Sequence, residues 1–192
     1  VDGAGGAPQG REQRLGVAAG DHLFRFSTRQ TEARLLKEFP QLSRVSVSRG
    51  WGRRLSVNFE RRVPVARLPG TNGFLGVDGT GAPFSLAEYA GTEKLPVLFG
   101  VAPGAAAQPV LRFWERLQKT GAPWVARVTN LKVLPPADVT LYFEDETPVH
   151  WGPLAAEPGV VLRKAQRLER VLADEVLAGG IEYVRFVEEN RL

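Results

Sequence analysis

Between Thr28 and Leu68 the apolar pattern switches from a helical repeat to strict alternation across a single proline, and few folds accommodate that switch. Ala33 and Leu36 lie three apart and Leu35 and Phe39 four apart, which predicts a helix with one apolar face. Ser27 or Thr28 stands where an N-cap is expected, with Glu32 near the first turn. Pro40 lacks an amide hydrogen and its ring collides with the preceding turn, so the helix is expected to stop near Phe39. Val45 and Val47 then alternate with Arg44, Ser46 and Ser48. After Gly50-Trp51-Gly52, Leu55, Val57 and Phe59 alternate with Arg54, Ser56, Asn58 and Glu60. Two alternating runs joined by a glycine-flanked turn predict a hairpin with one face toward a core. The helix laid on that face makes a small α/β unit.

A chain of 192 residues that is 43% hydrophobic can build one domain or two small ones around a real core. No run of about 18 apolar residues is present, so no segment of it is expected to span a bilayer as a helix. The chain has no methionine, which reads as a fragment or processed product. The absence of cysteine excludes disulfides, thiolate metal sites and cysteine nucleophiles. Charge is uneven: residues 1–67 hold 13 Lys/Arg against 6 Asp/Glu, residues 68–192 hold 12 against 15. Taken alone, the basic first part reads as a solvated arginine-rich surface; beside a bilayer it would face anionic headgroups.

Upstream of the central stretch, Val1–Gly10 is glycine-rich, Arg11–Ala19 is a short helix candidate, and Leu23-Phe24-Arg25-Phe26 is a connection whose phenylalanines fill the gap between two helices. Val63–Arg67 leaves the first domain as an extended strand, and the boundary is set after Arg67. The expected domains are therefore 1–67 and 68–192. Phe74–Phe84 reads as strand, Asp78-Gly79 turn, strand. Ala106–Lys119 is a helix with Val110, Phe113, Trp114 and Leu117 on one stripe. Val125–Leu134, Val139–Phe143 and Thr147–Trp151 form an antiparallel meander turning at Pro135-Pro136 and at Glu144-Asp145-Glu146. Val160–Leu177 is a second helix, buried through Val161, Ala165, Leu168, Leu172 and Val176 and wet along Arg163, Lys164, Arg167, Glu169, Arg170 and Asp174. Gly179-Gly180 ends it, and Ile181–Val187 is a last strand before a charged end. No internal repeat is present.

Little in this chain points to catalysis. His22 and His150 have no metal-ligand spacing. Glu144, Asp145 and Glu146 sit on a turn where adjacent side chains diverge, so they make neither a paired acid/base centre nor a calcium loop. Gly76–Gly81 lacks the third glycine and the helix of a dinucleotide fingerprint. Trp51 with Arg49, Arg53 and Arg54 has the ingredients of a single-strand nucleic-acid platform, but the arginines alternate with core residues as a solvent face should. No enzyme, metal, cofactor or nucleic-acid role is therefore expected. What remains is an interaction protein, through the exposed face of the first domain or through a sheet edge with unpaired N–H and C=O groups.

Several of these stretches resemble the FtsQ/DivIB family of bacterial cell-division proteins. Its POTRA domain is matched by Leu36 to Pro40, Val45 to Val47, Arg49 to Trp51, Leu55 to Val57 and the exit Glu60-Arg61-Arg62-Val63-Pro64-Val65-Ala66, with Val1-Asp2-Gly3 as a remnant of a first strand. Its following domain is matched by Val77, Asp78, Gly81 and Phe84 of a Leu-Val-Asp-x-x-Gly-x-Phe motif. Leu95-Pro96-Val97-Leu98-Phe99-Gly100 matches a Leu-Pro-x-Leu-x-Gly loop, and Gly152 closes the meander pattern. The resemblance implies an α+β fold: an N-terminal POTRA domain, a small α/β sandwich, followed by a mainly antiparallel β domain with two helices. It implies a non-enzymatic divisome scaffold that links early and late division proteins, anchored by an upstream transmembrane helix on the extracytoplasmic side of the inner membrane at the septum. The implied partners are FtsB and FtsL and, through them, the septal peptidoglycan synthases. The implied docking residues are Ile181, Glu182, Tyr183, Val184, Arg185, Phe186 and Val187. Tyr183 and Val184 match the family's Tyr-Val/Ile-Asp-Leu/Met-Arg strand and Phe186 fits its apolar position, while Arg185 and Val187 depart from it. A POTRA-containing translocation or chaperone module that binds polypeptide by strand addition is the alternative reading.

Overall fold

The structure, a computed structural model, describes residues 27–50, 54–154, 157–174 and 182–186. The expected elements at Val1–Gly3, Arg11–Ala19 and Leu23–Phe26, as well as His22, Trp51, Ile181 and Val187, lie outside the described residues. The chain forms two units that divide between Arg62 and Val63.

In the first unit, helix α1 (Thr28–Glu38) lies on the hairpin of β1 (Leu42–Gly50) and β2 (Arg54–Arg61). Ser27 caps α1 by accepting the Gln30 N–H at 3.3 Å. The helix closes at Phe39, whose N–H reaches the Leu35 carbonyl at 2.8 Å, immediately before Pro40. The strands are antiparallel with Val45 opposite Phe59 and Val47 opposite Val57, so the alternating apolar residues share one side. Leu35, Val45 and Val47 are the buried centre, flanked by Leu36, Phe39, Leu42, Leu55 and Val57. Two expectations are corrected here. Ala33 faces solvent and Thr31 takes the inward position, because it lies one turn before Leu35 on the same side of the helix. Glu32 is no part of the cap: its carboxylate accepts the Val47 N–H at 2.7 Å and ties α1 to β1.

The second unit is an eight-stranded sheet backed by two helices. Its elements are β3 (Ala66–Gly70), β4 (Gly73–Val77), β5 (Pro83–Ser85), β6 (Val97–Phe99), α2 (Gln108–Lys119), β7 (Val128–Leu134), β8 (Asp138–Phe143), β9 (Pro148–Pro153), α3 (Pro158–Ala173) and β10 (Val184–Arg185), with strand order β10-β9-β8-β7-β6-β3-β4-β5. Ala66 and Arg67 already pair with β4, so they belong to this sheet although the sequence reading places them in the first domain. The β4–β5 hairpin and the β7–β8–β9 meander are antiparallel, as expected. The sheet is mainly antiparallel, as expected, and differs only in the parallel joints β3–β6, β6–β7 and β9–β10, which make it mixed. Much of that difference comes from the Leu95–Gly100 segment. Read as a loop, it instead supplies the central strand β6, with Val97 and Leu98 buried between β3 and β7.

Strand alternation decides what faces the helices. Leu131, Leu141 and Val149 align across β7, β8 and β9 and are fully buried, as is Trp151. Against them α2 sets Val110, Phe113, Trp114 and Leu117, and α3 sets Val161, Ala165 and Leu168. Trp124 joins the layers: its indole N–H donates to the Ala165 carbonyl at 3.2 Å and its ring lies 5.9 Å from Phe143.

Loops are tied down by short polar clamps. Asp78 accepts from the Thr80 N–H and hydroxyl at 2.9 and 2.6 Å and from the Ala82 N–H at 3.2 Å. At the β8–β9 tip, Glu144, Asp145 and Glu146 are all exposed. The backbone N–H and hydroxyl of Thr147 hold the Asp145 carboxyl below its ordinary value of 3.8, and the Arg127 guanidinium adds to this. A lowered folded-state pKa stabilises the fold above the unfolded value, and the contribution is lost as the pH falls below it. Asp145→Ala is therefore expected to lower stability slightly above about pH 4. That deficit should vanish in more acid solution, as denaturant melts across pH would show.

Candidate docking edge

The last described strand lies at one end of the sheet. β10 is parallel to β9, with Val184 opposite Val149 and Arg185 opposite His150. The Phe186 N–H donates to the His150 carbonyl at 3.2 Å. Backbone groups alternate in direction along a strand, so if Phe186 points its N–H at β9, Arg185 points its N–H and C=O away from the sheet. No strand covers that side among the described residues. Five of the seven residues expected to dock are described. Glu182, Tyr183 and Arg185 are exposed, Tyr183 at 62%, while Val184 and Phe186 are half-buried. The paired stretch is two residues long, not the seven of the expected strand.

A short strand needs side-chain anchorage, and Phe186 provides it. Its ring stands edge-on to Trp151 with centroids 5.2 Å apart. The Lys164 ammonium lies 5.4 Å from the Phe186 ring centroid and donates to the Trp151 carbonyl at 3.1 Å. Tyr183 leans toward His150, whose ring nitrogen Nδ1 is 3.1 Å from the Thr140 hydroxyl. The edge is thus clipped to β9 by Lys164 of α3 and by the ring of Trp151. Sequence reasoning missed this clip, because Trp151, Lys164 and Phe186 meet only when β9, α3 and β10 are brought together. The one signal available was the spacing of Phe186 two residues after Val184, which puts both apolar side chains on one face of a strand.

Among the described residues no three His, Asp or Glu side chains gather as a metal site, and no helix there is long and apolar enough to cross a membrane.

A mixed sheet with helices on one face and a short, clipped strand at its end defines an α+β domain. A family model described as Cell division protein FtsQ/DivIB, C-terminal, matches residues 66–185, which run from the first residue of β3 to the last of β10. The match covers more than half of the chain, and the chain belongs to the FtsQ/DivIB family of cell-division proteins. Comparison with curated proteins gave no match.

Proposed function

We propose that the chain is a non-enzymatic scaffold of the divisome that docks a partner strand on β10. In this reading the first unit, up to Arg62, is a POTRA domain and the second, from Val63, is the β domain. A transmembrane helix upstream anchors both on the extracytoplasmic side at the septum. FtsB and FtsL are the partners, and through them the scaffold reaches the septal peptidoglycan synthases. The observation that carries it is the position of β10: it is held on one side by β9 and offers Arg185 backbone groups on the other. Ile181 and Val187 are proposed as the ends of the same surface.

Titration with the soluble FtsB–FtsL pair tests this. The full chain is expected to bind, and a version deleted after Gly180, still folded by circular dichroism, is not. Arg185→Pro sharpens the test, because it removes an N–H that points away from β9 while leaving the β9 pairing intact. It is expected to weaken binding by about tenfold or more, whereas Arg185→Ala, which keeps the backbone donor, changes it far less. Equal binding by all four proteins would move the site away from β10.

A further inference from the structure

The solvent side of the two helices carries a charge pattern that the docking edge does not use. In α2, Arg112, Arg116 and Lys119 are exposed and follow one another at intervals of four and three residues. In α3, Arg163, Arg167 and Arg170 repeat that spacing. At about 100° per residue each trio falls within an arc of roughly 60°, along a stripe about 10 Å long. That arc lies opposite Val110, Trp114 and Leu117 in α2 and opposite Val161, Ala165 and Leu168 in α3, so both stripes point away from the sheet.

The pattern is concentrated. The two helices hold seven of the 12 Lys/Arg of residues 68–192 and two of the 15 Asp/Glu, leaving the helical layer at +5 and the rest of this part at −8. Glu115 engages Lys119 at 2.8 Å, but Arg163, Arg167 and Arg170 make no ion pair with another described residue. Around these stripes Leu162 is the one large apolar side chain exposed on either helix. A protein partner gains most of its affinity from apolar anchors sunk into pockets, which this face lacks. A dense array of guanidinium forks instead matches a surface of closely spaced phosphates.

We propose that the outer face of α2 and α3 rests on anionic phospholipid headgroups. Each cation held within a Debye length of such a surface strengthens binding several-fold, and salt weakens it. The full chain is therefore expected to co-sediment at low salt with vesicles containing phosphatidylglycerol, to ignore vesicles of phosphatidylcholine alone, and to be released by added salt. Combining Arg163→Glu, Arg167→Glu and Arg170→Glu should cut the partition coefficient by more than about tenfold with an unchanged circular dichroism spectrum. The corresponding triple alanine variant should show a smaller loss of the same sign, and it serves as the test if the glutamate variant misfolds. The proposal is overturned if the wild type ignores anionic vesicles at low salt. It is equally overturned if the triple variants bind like the wild type, which would place lipid contact on the basic residues 1–67. Binding to soluble polyglutamate without binding to vesicles would overturn it in favour of an acidic polypeptide. None of these outcomes bears on β10.

Discussion

Trp151→Ala is expected to destabilise the larger unit by about 3–5 kcal/mol. Trp151 is the largest fully buried side chain among the described residues. Its ring meets Phe113 at 5.4 Å, Trp124 at 6.3 Å and Phe186 at 5.2 Å, so truncation removes contacts to α2, to the loop before β7 and to the strand after α3 together. The surrounding groups sit on a hydrogen-bonded sheet and two helices, so they collapse only partly into the space left behind, and a cavity term adds to the lost transfer energy. A domain of this size is stable by about 5–15 kcal/mol, so a large share of the margin goes. Denaturant unfolding followed by circular dichroism measures this directly. A loss below about 1 kcal/mol would show that Trp151 is not the hub of the core. The same substitution takes away the surface on which Phe186 sits, so amide exchange at Phe186, whose N–H donates to the His150 carbonyl, should quicken even where the unit stays folded.

The second large effect belongs to two glycines. Gly81 has φ +84°, and a methyl group added there would drive into the Gly104 carbonyl, which is close because the Gly104 N–H donates to Gly81 at 2.7 Å. Gly100 has φ +75°, and its added methyl would meet the Val133 carbonyl. In both places the obstacle is backbone, which cannot swing aside as a side chain does. Alanine then carries the left-handed cost of about 1–2 kcal/mol and a displacement of strand or loop besides, so Gly81→Ala and Gly100→Ala should each lose about 3 kcal/mol. Two neighbours grade the effect. Gly104 has φ +91° with nothing within 4 Å of an added methyl, so Gly104→Ala should show the backbone cost alone. Gly79 has open space and no positive φ, so Gly79→Ala should stay within about 0.5 kcal/mol of the wild type. Equal losses at Gly79 and Gly81 would refute the steric argument.

These glycines also show how far the chain could be read before its fold was seen. Gly81 lies within one of the motifs by which the chain resembles its family, and Gly100 closes another. Their spacing was visible in the sequence, but the carbonyl each one avoids belongs to a segment 23 or 33 residues away. Pattern worked where the burying partner was local. The alternation of Val45 and Val47 with serine and arginine, the stripe Val110-Phe113-Trp114-Leu117 and the stop at Pro40 each follow from backbone geometry within a few residues. It failed where a run was short or its partner distant. Val97–Phe99 is three residues long, too few to show a period, and only the strands on both sides make it central. In α1 the spacing of Thr31 to Leu35 already turns Thr31 inward, and hydrophobicity alone misdirects the choice to Ala33.

The segment proposed to dock a partner divides in the same way. Its residues could be picked out from their order, Tyr183-Val184 followed by an apolar Phe186. Its place at the end of the sheet, its parallel pairing with β9 and its anchorage by Trp151 and Lys164 could not. The periods, the breaks, the glycine positions and the charge on each helix were legible from the residues alone, because these follow from single residues and their near neighbours. Which strands lie side by side, and which edge is left uncovered among the described residues, emerged only in the folded chain. Those outcomes depend on hydrogen bonds and burial between segments far apart in the chain, and no local pattern encodes them.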